Sequence, residues 1–317
     1  MKLCRFKQSD IVRCGIYEPG RILPIDDLAS ASGEKYLADV LRYGELQRML
    51  PTDSAAWLTL RDVVAEAMYL GSLPGAANYW IRRDEVQLLP PVSNPGKLLL
   101  LAGNYAAHVS EQGDIAKERG QTFPYVFSKP ALSTLTGDGQ TVRIPKISPD
   151  AIDHEVELAV VIGRTARDIS AGDALDFVAG YTIVNDLSDR GFRPNPKRHE
   201  RPRDKFFDWL HGKWHDGFCP CGPCLVTTDE IPDPQNLQLQ LRVDGDLRQS
   251  GSTAEQIFSV AQVIEFVSSW VTLEPGDIIS TGTPSGVGNA SGRFLTAGQQ
   301  VVASITGIGD LTTLMVD

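Results

Sequence analysis

The stretch "DHEVELAVVIG", residues 153 to 163, sets two glutamates one residue apart at the mouth of an aliphatic run. On a strand, residues two apart project to the same face, so Glu155 and Glu157 point together while Val156 and Leu158 face the other way into apolar packing. Two carboxylates side by side in a partly desolvated place repel each other, and one pKa rises unless a cation compensates. A divalent ion is the economical compensation. An oxygen-only site selects magnesium, manganese or calcium over zinc, and a nearly octahedral ion takes about three protein oxygens while leaving positions for water and substrate. The third acid is expected to be Asp186 in "YTIVNDLSDR", at the end of another apolar strand and followed by the basic Arg190. Asp153 reads instead as a cap on the turn before the strand. Spacing alone leaves a second reading open, in which Glu155 and Glu157 lie on a solvent-facing edge, paired with Arg or Lys across the strands.

Outward from this run, short β-rich pieces separated by Gly, Pro and Asp turns fill the chain from "LLLLAGNY" onward: "TVRIP", "YTIVNDLS", "CLVTT", "LQLQLRVDGDL", "DIISTG" and "QQVVASITGIG". "VDGDL" reads as a hairpin turn. Helical patterns are expected at "YAAHVSEQGDIAKERG", "SAGDALDFVAG" and "TAEQIFSVAQVIEFVSSWV", the last with Ile257, Val260, Ala261 and Ile264 at helical spacing. Residues before this region mix short apolar pieces with Pro and Gly, carry a helix across "SAAWLTLRDVVAEAMYLGS" and end in "LLPPVSNPGK". The expected fold class is α+β, mainly β, with a small N-terminal domain over residues 1–92 and a mainly β domain over 93–317.

A chain of 317 residues has ample core volume. Its net charge of -10 and pI near 5.0 would repel a polyanion, and no run of Lys and Arg overcomes that field, so no nucleic-acid partner is expected. No apolar run is long enough for a signal peptide or a membrane span, which makes a cytoplasmic protein with no membrane partner the expectation. Five cysteines without a regular framework fit a reducing compartment. "FCPCGPC" invites a zinc site at Cys219, Cys221 and Cys224, but no fourth ligand stands at a suitable spacing, and Pro220 and Pro223 read as a rigid turn leading into a strand.

Five motifs in order, "GNYAAHVSEQG", "DHEVELAVVIGR", "YTIVNDLSDR", "GKWHDGFCPCGP" and "DIISTGTPSGVG", resemble the fumarylacetoacetate hydrolase family over roughly residues 95 to 315. The resemblance implies a mixed β-roll or barrel with flanking helices, usually in a homodimer, acting on 2-oxo and 2,4-dioxo acids with Mg2+ or Mn2+, and Ca2+ as a further candidate. It implies Glu155, Glu157 and Asp186 as metal ligands and His108 with Glu111 as an acid/base dyad on a lid segment. Residues three apart on a helix are neighbours, and a carboxylate there holds an imidazole in one tautomer; without the resemblance, a solvated helix face would explain the pair as well. Lys213 matches a lysine near the metal that can neutralise an oxyanion or the substrate carboxylate. Arg190 and Thr283 match positions that hold the substrate's acid group, although Arg190 could equally form a local ion pair. Departures from the family pattern fall at His154, Trp214 and near Arg193, and the segment 191–214 is basic and bulky enough to serve a larger or more acidic substrate.

Overall fold

The computed structural model describes residues 1–70, 79–111, 113, 117 and 119–317. The fold is mixed α+β and mainly β, built on open sheets. Among the described residues the large sheet has twelve strands. From edge to edge it runs Ile81–Arg82, Arg21–Pro24, Ile11–Glu18, Lys2–Gln8, Cys219–Thr227, Val178–Asn185, Val156–Ile162, Ile278–Ser280, Leu98–Ala102 and Tyr125–Ser128. Gln87–Leu89 adds to Lys2–Gln8, and Leu135–Thr136 to Cys219–Thr227. Residues 1–92 and 93–317 therefore share one sheet.

A second sheet is ordered Asp246–Ser252, Gln238–Val243, Gln300–Ile305, Gly309–Val316 and Thr141–Arg143. The expected hairpin is present at Asp244 and Gly245, both at positive φ.

The strand Val156–Ile162 is buried along its whole length. Val156, Leu158, Val160 and Ile162 pack with Leu239, Leu241, Val301 and Ala303 of the second sheet and with Val263, Ile264 and Val267 of the helix Val260–Trp270. Ala159 and Val161 project oppositely, into a cluster with Leu28, Leu37 and Leu60 of the N-terminal helices. Strand alternation puts Glu157 on that second face. The solvent-facing reading is excluded by burial: Glu155 is 6% exposed and Glu157 1%.

Several local expectations are corrected. Among the described residues of "YAAHVSEQGDIAKERG" the α-helix covers Ala106–Glu111 and Gly113 is a turn, while Gln112, residues 114–116 and Glu118 lie outside the described residues. "SAGDALDFVAG" makes only a 3-10 turn, Ala174–Phe177, because Val178 onward is taken by antiparallel pairing to Val156–Ile162. The last predicted helix starts at Val260, where Ser259 and Gln262 form a capping box, and Ile257 lies before it with its N–H bonded to the Asn104 carbonyl. The "CPCGPC" turn is part of the strand Cys219–Thr227. Cys219 and Cys221 pack in one core cluster and Cys224 in the other, so they do not converge as zinc ligands. Burial pushes the Cys221 and Cys224 thiols up to about 12. Among the described residues, no helix is long and apolar enough to cross a membrane.

Candidate active site

Strand register assembles the acids. Val156 pairs with Asn185 and Glu157 with Val184, so Asp186 follows its strand directly opposite Glu155, and the Asp186 N–H donates to the Glu155 carbonyl at 2.9 Å. Carboxylate oxygens of Glu155, Glu157 and Asp186 lie within 4.8 Å of one another. Ser280 Oγ and the Gly282 N–H both donate to Glu157 Oε2, at 2.6 and 2.9 Å.

Three cations surround the trio. Lys213 Nζ spends its donors on Glu155, Asp186 and Ser188 Oγ. Arg190 pairs with Glu155 and with Asp153, which is itself fully buried and also accepts from the Gly288 and Asn289 N–H groups. Asp153 is thus the anchor of Arg190 rather than a simple turn cap. Lys129, absent from the expected site residues, donates to Asp186 Oδ1 and to the carbonyls of Leu187 and Phe218.

These residues fit a hard divalent cation. The donor set is oxygen only, and four carboxylates against three cationic side chains leave formal negative charge in a buried place. Glu157 registers that excess: burial, reinforced by Asp186 and Glu155, pushes its carboxyl up to about 8. Burial works the same way on Glu155, but Lys213 and Arg190 outweigh it and hold that carboxyl at about 2.

Replacing Lys129 by methionine would leave Asp186 Oδ1 and two carbonyls without their donor. Breaking a buried pair from one side costs about 3–5 kcal/mol, so chemical denaturation of Lys129→Met should show a loss of that order. A loss under about 1 kcal/mol, the range of an exposed ion pair, would contradict the structural role assigned to Lys129.

The dyad also forms. His108 Nδ1 lies 2.8 Å from Glu111 Oε1, and the Gly286 N–H donates to Glu111 Oε2 at 2.8 Å. Asn104 secures the start of this helix: its Nδ2 donates to the Phe258 and Thr281 carbonyls and its Oδ1 accepts from the Phe258 N–H. Gly286 has φ +105, and a Cβ there would stand 2.1 Å from the Arg248 carbonyl oxygen, so the turn that holds Glu111 requires glycine.

Thr283 lines the site, but its hydroxyl donates to the Val156 carbonyl and accepts from Gln249 Nε2. The donor that substrate binding would ask of Thr283 is committed to the backbone. Arg190 is likewise engaged by two carboxylates. Both open on one cavity of about 1200 Å³, together with His108, Glu155 and Lys213. Phe127 and Trp209 flank Lys213, their ring centroids 5.1 and 5.6 Å from its Nζ. Sequence reasoning missed Lys129, Gln249 and Ser280; the one available signal for Lys129 was a lone cation closing the apolar run "YVFSK".

Comparison with known proteins gives the chain its family. An uncharacterized protein of Staphylococcus aureus (strain USA300) is 38% identical over 259 residues, 81% of each chain. The structure of a fumarylacetoacetate hydrolase from Exiguobacterium antarcticum superposes with a TM-score of 0.76 at 30% identity, covering 100% of this chain and 99% of that one. Maleylpyruvate hydrolase from Sphingobium sp. SYK-6, in complex with manganese(II) and pyruvate, gives 0.73 at 28% identity with full coverage of both chains. A 5-carboxymethyl-2-hydroxymuconate delta-isomerase from Mycobacterium smegmatis gives 0.69 at 27%, covering 100% of this chain and 99% of that one. The three structural likenesses extend over the N-terminal residues, for which the sequence motifs claimed no counterpart. The family described as "Fumarylacetoacetate (FAA) hydrolase C-terminal" matches residues 97–316, a span that holds the acid trio, the dyad and all three cations, and the chain belongs to the fumarylacetoacetate hydrolase family.

Proposed function

We propose that this protein hydrolyses a carbon–carbon bond in a 2,4-dioxo acid of the acylpyruvate type, with Mg2+ or Mn2+ held by Glu155, Glu157 and Asp186. The observation that carries the reading is the His108–Glu111 pair, tied to Gly286, with His108 lining the same cavity as Glu155 of the carboxylate trio. Decarboxylation, or isomerisation as in the name of the Mycobacterium smegmatis relative, can use the same acids but has no need of a water-activating dyad.

When bound, the divalent ion supplies Lewis-acid polarisation of the 2-oxo acid end and stabilises enolate charge. Glu111 holds Nδ1 of His108, which leaves Nε2 to take a proton from water. Water adds to the C4 carbonyl, the C3–C4 bond breaks, and its electron pair goes to C3. The proton held by His108 returns to C3, giving pyruvate and a carboxylic acid. For Lys213 to donate to the C4 oxyanion it must release one of its present acceptors, Glu155, Asp186 or Ser188.

The test is loss of the enol absorbance of a panel of acylpyruvates with added Mg2+ or Mn2+, with pyruvate and carbon dioxide assayed in the same samples. Metal-dependent pyruvate release is the expected result. Carbon dioxide from oxaloacetate without pyruvate release from any acylpyruvate would move the assignment to a decarboxylase, and an unchanged carbon skeleton would move it to an isomerase or hydratase.

A further inference from the structure

Among the described residues, buried side-chain nitrogens and oxygens without a hydrogen-bond partner are concentrated in one place. Apart from the Tyr105 hydroxyl they are Nδ1 and Nε2 of His154, Nδ2 of Asn185, and Nε and Nη1 of Arg248. Contacts put these residues side by side. Asn185 pairs across the strands with Val156, and its Oδ1 accepts from the Glu155 N–H at 2.9 Å, which leaves Nδ2 next to the backbone that follows His154. The Val156 N–H donates to Gln249 Oε1 at 3.0 Å, so Arg248 comes to the same backbone from the strand Asp246–Ser252 of the second sheet. Burial, joined by the charge of Arg248, pushes the His154 imidazole below its ordinary pKa against the pull of Asp153. Gly286 stands near that ring without closing a hydrogen bond of normal geometry.

The cluster is one of donors. Asn185 Nδ2 and both Arg248 nitrogens have only protons to give, as does one nitrogen of a neutral imidazole. Arg248 has no ion-pair partner among the described residues, and a guanidinium whose buried N–H groups stay unpaired is costly. A single water has too few lone pairs for so many donors, whereas a halide accepts from every side. The carboxylate at hand, Asp153, stands 3.7 Å from His154 Nδ1, beyond hydrogen-bond reach, and its Oδ1 is occupied by the N–H groups of His154 and Gly288. Its charge disfavours any guest carrying more than one negative charge.

We propose that His154, Asn185 and Arg248 form an interior site for a small monovalent anion of the size of chloride, placed behind the backbone that carries Glu155 and the turn that holds Glu111. Arg248 as a whole is only partly buried, which gives the ion a route from solvent. Once bound, the ion ties the second sheet to the backbone of Glu155 and to the Gly286 turn, and so stiffens two supports of the active site. The proposal is independent of which reaction the carboxylate trio serves.

Thermal unfolding of the full-length, Mg2+-loaded protein, with chloride exchanged for gluconate at constant ionic strength, reads the site. A saturable rise in melting temperature is expected, roughly 2 °C once chloride is ten-fold above its Kd. Arg248→Met should abolish that rise while keeping the one that Mg2+ gives. Crystals of the unaltered protein soaked in bromide supply a readout that needs no variant: an anomalous peak should stand within hydrogen-bond reach of Arg248 and Asn185 Nδ2. An ordered water at that place with no anomalous peak, a chloride response that never saturates, or one that survives Arg248→Met would each overturn the proposal. So would a crystal structure in which these nitrogens are all paired with protein acceptors.

Discussion

Glu155→Ala is expected to lower metal-dependent turnover by at least about a thousand-fold, equivalent to roughly 4 kcal/mol of transition-state stabilisation. Glu155 is both a member of the carboxylate trio and the residue on which Arg190 and Lys213 converge. On the proposed assignment, removing it takes away a metal ligand and leaves two cations turned toward the place proposed for the ion, so binding is opposed twice. The fold should survive, because Arg190 keeps Asp153 and Lys213 keeps Asp186. Thermal unfolding with and without Mg2+ separates the two effects. The unaltered protein should gain about 2.7 kcal/mol when the ion is a hundred-fold above its Kd, and Glu155→Ala should gain almost nothing. Turnover retained by a metal-free Glu155→Ala protein would sink the metal-dependent reading.

His108→Ala should behave differently. General acid–base catalysis is commonly worth about 10²–10⁴ in rate, and a kcat loss of that size is expected. The magnesium-dependent thermal shift should remain, since the imidazole is bonded to Glu111 and not to the trio. A kcat within ten-fold of the unaltered protein would remove His108 from the chemistry. Loss of the metal shift as well would make its role structural. The contrast between the two variants, one losing metal and turnover and the other turnover alone, is what a divided site predicts.

Period-two alternation made it legible that Glu155 and Glu157 share a face, and burial of the strand on both sides puts that face in the interior. The wet-edge alternative could not be dismissed from alternation, which does not say which face is covered; the N-terminal helices that cover it lie far away in sequence. Lys129 was illegible for the same reason. Its burial exists only because Asp186, Leu187 and Phe218 converge on it from two other segments. The commitments of Thr283 and Arg190 were hidden too, since a motif names a position but not the hydrogen bonds that occupy it. Local pattern also overstated helices at residues 105–120 and 170–180, in the second case because strand pairing to Val156–Ile162 outweighed a weak helical preference.

The strand Lys2–Gln8 is synthesised well before one of its neighbours, since it lies in the sheet between Ile11–Glu18 and Cys219–Thr227, with Leu3 opposite Leu225. At about 5–20 residues per second, the ribosome takes on the order of 10–40 seconds to deliver that second neighbour. Throughout this interval the Lys2–Leu3 end of the ribbon has no strand on its second side, while Gln87–Leu89 covers Arg5, Phe6 and Lys7. Completion of the catalytic sheet is therefore a late, long-range closure, and the vulnerable moment in the life of this protein comes before its active site exists.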